Sequence, residues 1–262
     1  MLPDIQNEPD QRQILIQQVG ICDLTYPIDV LTENGMTRTT GTFDLSIELA
    51  AHKKGCHLSR FVDVLHERQW IFSLEAFPEF LHCLIQKLDA HTAYGSLTFP
   101  VFLEKTAPIS GIKSYLNYEV AFHAQIQQGQ YRLFTLLRVP VTSLCPCSKA
   151  ISQSGAHNQR CLLTLTLETT HLTVTPFETW IRLLEHQGSC ELYALLKRAD
   201  EKQVTEAAFN NPKFVEDIVR DVAQALNHHP AVSVYRIIAK SFESIHHHNA
   251  YAMIEKGSLP IA

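Results

Sequence analysis

Apolar and polar residues alternate along much of this chain, which predicts long β-strands. In a strand predicted at about 39–50, every second residue from Phe43 to Leu49 is apolar, as expected of a strand with one buried face. The same alternation, or a dense run of β-branched and aromatic residues, predicts further strands at 14–30, 95–103, 114–127, 131–141, 161–169, 232–245 and 250–254. Between two of these, Gln128-Gly129-Gln130 has the composition of a hairpin turn.

A second period, of about 3.6 residues, predicts four helices. The third has a capping-box pattern, with Thr175 as the N-cap and Glu178 as the third helical residue, and Gly188 is expected to stop it. The four helices are expected to begin near Ser59, just before Pro78, at Thr175 and at the Asn211-Pro212 pair.

The order of these elements indicates the fold class. Strand-strand-helix-helix-strand-strand occurs twice, without visible sequence identity between the halves. Hairpins separated by paired helices predict an α+β protein of two tandem modules, each an antiparallel sheet with its helices on one face. We place these modules at 12–130 and 131–262, in one compact bimodular unit, and expect residues 1–11 to form a flexible polar arm.

Composition narrows the possible functions. The 262 residues are 45% hydrophobic and carry a formal net charge of -5, which argues against nucleic-acid binding through a broad basic surface. No apolar run is long enough for a membrane span, and the polar N-terminus does not resemble a signal peptide. The seven cysteines are therefore expected to be reduced thiols in a cytoplasmic protein with no membrane or nucleic-acid partner.

The densest group of reactive side chains lies at 145–160, which is predicted as a loop between two strands. Cys147 and His157 would supply the sulfur and nitrogen that zinc accepts, and a carboxylate from elsewhere would leave one position for water. The spacing matches no standard zinc motif. From spacing alone the alternative is favoured, in which the cysteines are small buried residues and the histidine belongs to a capped loop.

A histidine-rich stretch follows the predicted strand at 232–245. If the strand continues, His246 and His248 share one face while His247 and Glu243 take the other. Two imidazoles on one face would suit proton transfer near neutral pH. The alternative, modestly favoured by these residues alone, is a solvated histidine tract at a strand end.

Two acidic strings have competing interpretations. Glu216 lies near a predicted helix start, where a carboxylate usually offsets the helix dipole. The same carboxylate would also match the ring N–H and exocyclic amine of a guanine, which form a pair of donors. Asp200, Glu201 and Lys202 lie in a polar stretch and are by default exposed charges.

The basic segment, which we define as residues 53–60, precedes the first predicted helix. Its cations, its serine hydroxyl and its free backbone N–H groups would suit a phosphate, although a solvated helix start is the usual alternative. The chain has neither a Walker loop nor a glycine-rich dinucleotide fingerprint. ATPase and dehydrogenase interpretations are weakened accordingly.

Together these strings resemble GTP cyclohydrolase IB, a family of the tunnelling-fold superfamily. They run from Lys54 to His246, about three-quarters of the chain, in the family's order, and their combination is specific although each string alone is not. The strings are Cys145-Pro-Cys-Ser-Lys149, Gly155-Ala-His-Asn-Gln-Arg160, Asp200-Glu-Lys202, Asn211-Pro-Lys-Phe-Val-Glu-Asp217, Phe242-Glu-Ser-Ile-His246 and Lys54-Gly-Cys-His-Leu-Ser-Arg-Phe61.

The resemblance implies a hydrolase that uses a divalent metal, zinc or manganese, to open the imidazole ring of GTP at C8. The products would be 7,8-dihydroneopterin triphosphate and formate, at the start of tetrahydrofolate, pterin and related deazapurine biosynthesis. It also implies a homotetramer with active sites at subunit interfaces. The implied residues are Cys147, His157 and Glu201 as metal ligands, Cys147, His246, His248 and Glu243 as catalytic residues, and Glu216, Lys149, Arg160, Lys54 and Arg60 as substrate-binding residues.

Two other interpretations stay open. The nitrile reductase of queuosine synthesis is a sibling tunnelling-fold enzyme with a cysteine and a purine-anchoring glutamate, but it uses NADPH, and its motif around the cysteine differs from Cys-Pro-Cys-Ser-Lys. A non-catalytic metal- or pterin-binding protein on the same scaffold would bind GTP without turnover. Such a protein would have no need of a proton relay.

Overall fold

The computed structural model describes residues 4–168 and 175–259. Thr169, the last residue of a predicted strand, lies outside these ranges, as do residues 1–3 of the predicted arm and 260–262 of the second predicted module. A short 3-10 helix at Ile5–Asn7 comes first. The other elements are β1 (Ile16–Thr32), β2 (Gly35–Leu49), α1 (Ser59–Glu67), β3 (Ile71–Phe72), α2 (Ala76–Leu88), β4 (Ala93–Thr106), β5 (Lys113–Gln127), β6 (Gln130–Leu144), α3 (Pro146–Ile151), β7 (Asn158–Glu168), α4 (Phe177–Glu185), α5 (Arg198–Asn210), α6 (Val215–Asn227), β8 (Tyr235–Ser241) and β9 (Ala250–Lys256).

The described strands form a mostly antiparallel sheet in an α+β fold, as predicted. Their hydrogen-bonded order is β3-β1-β2-β4-β5-β6-β7-β8-β9. Strand β1 pairs antiparallel with β2 and parallel with the two-residue β3. The predicted turn between β5 and β6 is present, and positive φ angles of 52° at Gln128 and 74° at Gly129 are those of a tight two-residue hairpin.

Contacts divide the chain into two compact units that alternate along the sequence. Unit 1 comprises residues 4–99 and 121–134, and unit 2 comprises 100–120 and the described residues from 135 onwards. Strands β4, β5 and β6 therefore contribute residues to both units. The module boundary at residue 130 stays a prediction.

Unit 1 buries the apolar face of β2 beneath α2. Phe77 and Phe80 of this helix are fully buried, and Phe80 packs against Phe43 of β2 with ring centroids 6.1 Å apart. The helix lies so close to β4 that a Cβ at Gly95 would be 2.7 Å from a methyl carbon of Leu81. Each buried aromatic contributes roughly 1.5–3 kcal/mol, so this packing stabilises the unit.

The segment before α1 is bonded to the N-terminal residues. The amide of Lys54 donates to the carbonyl of Glu8 at 3.2 Å, and the amide of Asp10 donates to the carbonyl of His52 at 2.9 Å. These bonds attach residues of the predicted arm to the rest of unit 1. The flexibility of that arm stays a prediction.

Unit 2 is built on the antiparallel strands β7, β8 and β9, and α6 packs against β8 and β9. Ile218, Val222 and Leu226 form the buried stripe of α6, and Leu165 of β7 pairs with Ile237 of β8 inside the core. The buried stripe follows the helical period predicted from the sequence. This core supports the segments that follow β6 and β8, where the candidate chemistry lies.

The predicted capping box of the third helix is wrong. Helix α4 begins at Phe177, so its N-cap is Pro176, which has no side-chain acceptor, and Glu178 is the second helical residue instead of the third. The helix also ends at Glu185, before Gly188. A Cβ at Gly188 would lie 2.6 Å from the Cβ of Val141, so this glycine allows close approach to β6.

Two helices were not predicted, α3 and α5. None of the six residues of α3 is buried, and α5 buries only Asp200 and Ala208 among its thirteen residues. Neither helix therefore has the apolar stripe on which the sequence analysis depends. None of the described helices is long and apolar enough to cross a membrane.

Candidate functional site

The 145–160 segment, predicted as a loop, begins with the short helix α3. The Sγ of Cys145 accepts a hydrogen bond from the amide of Ser148 at 3.4 Å and so caps this helix. The segment then folds back, because the amide of Cys145 donates to the carbonyl of His157 at 3.1 Å and the amide of His157 donates to Oγ of Ser148 at 3.2 Å. The backbone that carries Cys147 and His157 is thus held by bonds within the segment.

The thiol of Cys147 is exposed, so the alternative that it is a small buried residue is wrong. Cys161, at the start of β7, is the opposite case. Burial raises the pKa of the Cys161 thiol to about 12, and the nearby Glu243 carboxylate adds to the effect. A thiol with that pKa stays protonated at neutral pH and is a poor nucleophile and metal ligand.

Hydrogen bonds connect His157 to the end of β8. Nδ1 of His157 lies 2.9 Å from Oε1 of Gln159, and Nε2 of Gln159 donates to Oγ of Ser241 at 3.2 Å and to Oε1 of Glu243 at 3.3 Å. Oγ of Ser244 lies 3.5 Å from both Nδ1 of His157 and Oε1 of Gln159. We call these five residues the Gln159 cluster; it brings together His157 and Glu243, which are 86 positions apart in the sequence.

The two candidate proton-transfer histidines lie in a bend and not on a strand. Strand β8 runs from Tyr235 to Ser241, so the predicted strand at 232–245 is too long at both ends. His246 and His248 nevertheless lie together, with stacked rings whose centroids are 5.2 Å apart and whose planes differ by 12°. Both side chains are exposed.

Helix α6 begins beside the segment that leads into α3. The amide of Lys213 donates to the carbonyl of Leu144 at 3.1 Å, which holds the chain just before α6 against the end of β6. Asp217 caps the helix by accepting from the amide of Phe214 at 3.0 Å. Glu216, the second residue of α6, is exposed, and the residue that caps the helix is its neighbour Asp217.

Asp200 fixes the start of α5. It is 0% exposed and accepts hydrogen bonds from the amides of Ile109, Ser110 and Lys197, each at 2.8 Å, and from Oγ of Ser110 at 2.6 Å. Burial opposes ionisation, but these bonds outweigh it and hold the pKa of Asp200 well below its usual range. The expectation of an exposed charge is therefore wrong for Asp200, whereas Glu201 is exposed.

Within one chain, Glu201 is not brought to Cys147 and His157. Lys149 of α3 contacts the C-terminal end of α5. Its Nζ donates to the carbonyl of Phe209 and lies 4.4 Å from the centroid of the Phe209 ring. Glu201 is eight residues earlier on this helix, about 12 Å along its axis. In the part of the chain that the structure describes, no three His, Cys, Asp or Glu residues form a metal-binding group.

The basic segment of unit 1 is partly neutralised by carboxylates. Nζ of Lys53 lies 2.8 Å from Oδ2 of Asp89, and Nζ of Lys54 pairs with Glu8. Arg60 donates to a backbone carbonyl at 3.4 Å. The segment borders a cavity of about 310 Å³ whose lining includes His52, Gly55, Cys56, His57 and Arg60.

The sequence analysis missed Gln159, Ser241 and Ser244 of the Gln159 cluster. All three lie inside or next to the strings that carry the family resemblance, but amide and hydroxyl side chains give no charge or sulfur signal. A polar Gln159 at the start of a strand, two residues from a candidate ligand, is the signal that would have found it, because histidine ligands usually have a hydrogen-bond partner.

Comparison with known proteins gives a family match over nearly the whole chain. The family model described as "GCHY-1: Type I GTP cyclohydrolase folE2" matches residues 2–252. The chain is 48% identical over 256 residues to the GTP cyclohydrolase FolE2 of Cupriavidus necator, covering 98% of this chain and 95% of that protein. It is also 48% identical over 255 residues to the GTP cyclohydrolase FolE2 of Thiobacillus denitrificans, covering 97% and 94%.

A solved structure shares the fold. The crystal structure of uricase from Arthrobacter globiformis matches with a TM-score of 0.55 and 9% sequence identity, over 94% of this chain and 96% of that chain. At this identity the likeness concerns the fold alone. The predicted tunnelling fold with two tandem modules is confirmed.

Proposed function

The chain belongs to the type I GTP cyclohydrolase FolE2 family and is a hydrolase, and we propose that it converts GTP and water to 7,8-dihydroneopterin triphosphate and formate. The observation that carries the proposal is the Gln159 cluster beside the exposed Cys147. Ring opening at C8 of GTP would make this the first step of pterin and tetrahydrofolate synthesis, or of a related deazapurine pathway.

A divalent metal, zinc or manganese, would be held by residues around α3. Cys147 offers an exposed thiol, and His157 has its Nδ1 bonded to Gln159, so its Nε2 is the nitrogen left for a ligand. A carboxylate from Glu201 would complete the donor set. When bound, the metal would activate water for hydrolysis.

Glu216 would anchor the guanine. Its exposed carboxylate lies on the second residue of α6, beside the segment that leads into α3. Two carboxylate oxygens match the ring N–H and the exocyclic amine of guanine. Fixing the base in this way would orient C8 for attack and so convert binding energy into rate.

Proton transfer would fall to the stacked histidines. His246 and His248 are exposed and adjacent, so an imidazole can donate a proton to the ring nitrogen as the C8–N bond breaks. Glu243, held by Gln159, would support them as a proton acceptor. The cations that would offset the triphosphate charge are Lys149, Arg160, Lys54 and Arg60.

We also propose a homotetramer with its active sites at subunit interfaces. In a single chain Glu201 lies far along α5 from the end that contacts α3, so a neighbouring subunit would supply this carboxylate. An assembly of that kind accounts for a ligand set that one chain does not bring together.

The test is to incubate the purified, metal-depleted protein with GTP, with and without added zinc or manganese. The expected result is metal-dependent release of formate together with a product that becomes fluorescent neopterin on oxidation. Binding of GTP without formate under either metal would overturn the proposal in favour of a binding protein. NADPH consumption without formate would instead indicate a reductase.

A further inference from the structure

The side-chain amide of Gln159 has its orientation fixed by its neighbours. Its Nε2 faces Oε1 of Glu243 at 3.3 Å, and an ionised carboxylate can only accept hydrogen bonds. The NH2 group must therefore point towards Glu243, and Oε1 must point the other way. In this orientation Oε1 accepts a hydrogen bond from Oγ of Ser244 at 3.5 Å.

That orientation determines where the proton of His157 resides. Oε1 of Gln159 lies 2.9 Å from Nδ1 of His157, and a carbonyl oxygen can only accept. Nδ1 must then carry a hydrogen, so in the neutral imidazole Nε2 is the unprotonated nitrogen. Nε2 with a free lone pair is the form of imidazole that binds a metal ion.

We propose that Gln159 is a positioning residue that holds His157 in the tautomer protonated at Nδ1, with Glu243 orienting the Gln159 amide in turn. This inference rests on the proposed function, because it presumes that Nε2 of His157 binds the metal. Glu243, which is also one of the proposed catalytic residues, would thereby have a second role, because it is connected to His157 through two hydrogen bonds. Loss of such an outer partner is expected to weaken metal binding roughly 10–100-fold.

The experiment measures the zinc Kd of the metal-depleted, full-length protein by competition with a chromogenic chelator. Gln159→Leu removes the acceptor for Nδ1 and is expected to raise the Kd by about 10–100-fold. Gln159→Glu combined with Glu243→Gln exchanges the acid and the amide, keeps an acceptor facing His157 and a donor between the two positions, and should bind within about threefold of the unaltered protein. The matched control is Gln224→Leu, at an exposed position on α6, and it should leave the Kd unchanged.

Two further variants separate the possible failures. If His157→Ala loses zinc while Gln159→Leu binds as tightly as the unaltered protein, the positioning role is wrong and the metal assignment stands. If His157→Ala retains zinc at the original Kd, the metal assignment itself is wrong, and the inference is lost with it.

A folding defect in Gln159→Leu would not end the test. Glu243→Gln replaces an acceptor with a group that also donates, so the Gln159 amide can turn and offer its NH2 to His157. We expect this variant to raise the zinc Kd by about threefold or more. An unchanged Kd in a folded Glu243→Gln protein would overturn the proposal.

Discussion

The Gln159 cluster of unit 2 and the basic segment of unit 1 hold their polar side chains in different ways. In the cluster, the Gln159 amide contacts the His157 imidazole, the Ser241 hydroxyl and the Glu243 carboxylate, and all four side chains are at least half-buried. In the basic segment, Lys53 pairs with Asp89, whose side chain is 89% exposed, and Lys54 pairs with Glu8, whose side chain is 51% exposed.

The difference indicates which groups can exchange partners. Exposed ion pairs contribute only about 0–1 kcal/mol, so a ligand phosphate could replace Asp89 or Glu8 at little cost. A half-buried network loses more when one member is removed, because the remaining groups are left without partners. We therefore expect large effects in unit 2 and small ones in the basic segment.

The largest effect is expected from Cys147→Ala next to the Gln159 cluster. Loss of a metal ligand should exceed the roughly 10–100-fold penalty of losing an outer partner, so turnover and bound metal should disappear together. Formate release and metal content per chain are the two measurements. Cys22→Ala, which removes the other exposed thiol, should change neither, and full activity in Cys147→Ala would show that this thiol is not a ligand.

Glu216→Gln should have the next largest effect. The amide places an NH2 group against a guanine donor, and losing a charged hydrogen bond should lower kcat/KM for GTP roughly 10–100-fold. Comparing GTP with inosine triphosphate, which lacks the exocyclic amine, sharpens the test, since the variant should discriminate less between them. Glu206→Gln on α5, an exposed residue that pairs with Lys202, is the matched control. If Glu216→Gln keeps the original preference, the anchor lies elsewhere.

Asp200→Asn should loosen unit 2 with a moderate effect on stability. Asparagine brings an NH2 group against backbone donors, so the unfolding midpoint Tm should fall on the order of 5 °C at neutral pH. Asp44→Asn, in unit 1, would control for the loss of a charge. An Asn variant as stable as the original would mean that α5 is held by other contacts.

The pH dependence of the same variant follows from the lowered pKa of Asp200. A carboxyl whose pKa is lower in the folded state stabilises the fold above its unfolded pKa, near 3.8, and loses that contribution as the pH falls further. The unaltered protein should therefore lose more Tm between pH 5 and pH 3 than the variant does. Thermal unfolding of both proteins across that range measures the difference.

Glu8→Gln should have the smallest effect and tests the other side of the comparison. It frees Lys54 from an exposed ion pair, so KM for GTP should change by no more than about twofold to fivefold, in the favourable direction and only at low salt. Steady-state kinetics at two salt concentrations measures it. A tenfold or larger change would mean that the basic segment is organised as rigidly as the Gln159 cluster.

The sequence predicted the parts of the fold that repeat a simple period. The alternation from Phe43 to Leu49 is matched by alternating burial in β2, and α1 begins at Ser59 as predicted. The two missed helices follow other rules. Helix α5 is fixed by hydrogen bonds from residues 109 and 110 to Asp200, about ninety positions away, which no local pattern reveals.

The sequence predicted which residues belong to the candidate site but not how their side chains contact one another. The stacked pair of His246 and His248 was expected from strand alternation, yet it forms in a bend. The bonds from Gln159 to Ser241 and Glu243 depend on β7 pairing with β8, a contact between distant parts of the chain. The roles of the site residues stay predictions until the variants are measured.

The uneven exposure of the seven thiols gives the protein a built-in chemical label. Only Cys22 and Cys147 are exposed, and a hydrogen bond with Asp23 raises the pKa of Cys22, so its thiolate forms less readily. Brief alkylation should then modify Cys147 first and Cys22 more slowly. Peptide mass mapping could use the Cys22 adduct as an internal standard. A ligand or metal bound at the site should then lower the fraction of Cys147 that is alkylated relative to that standard.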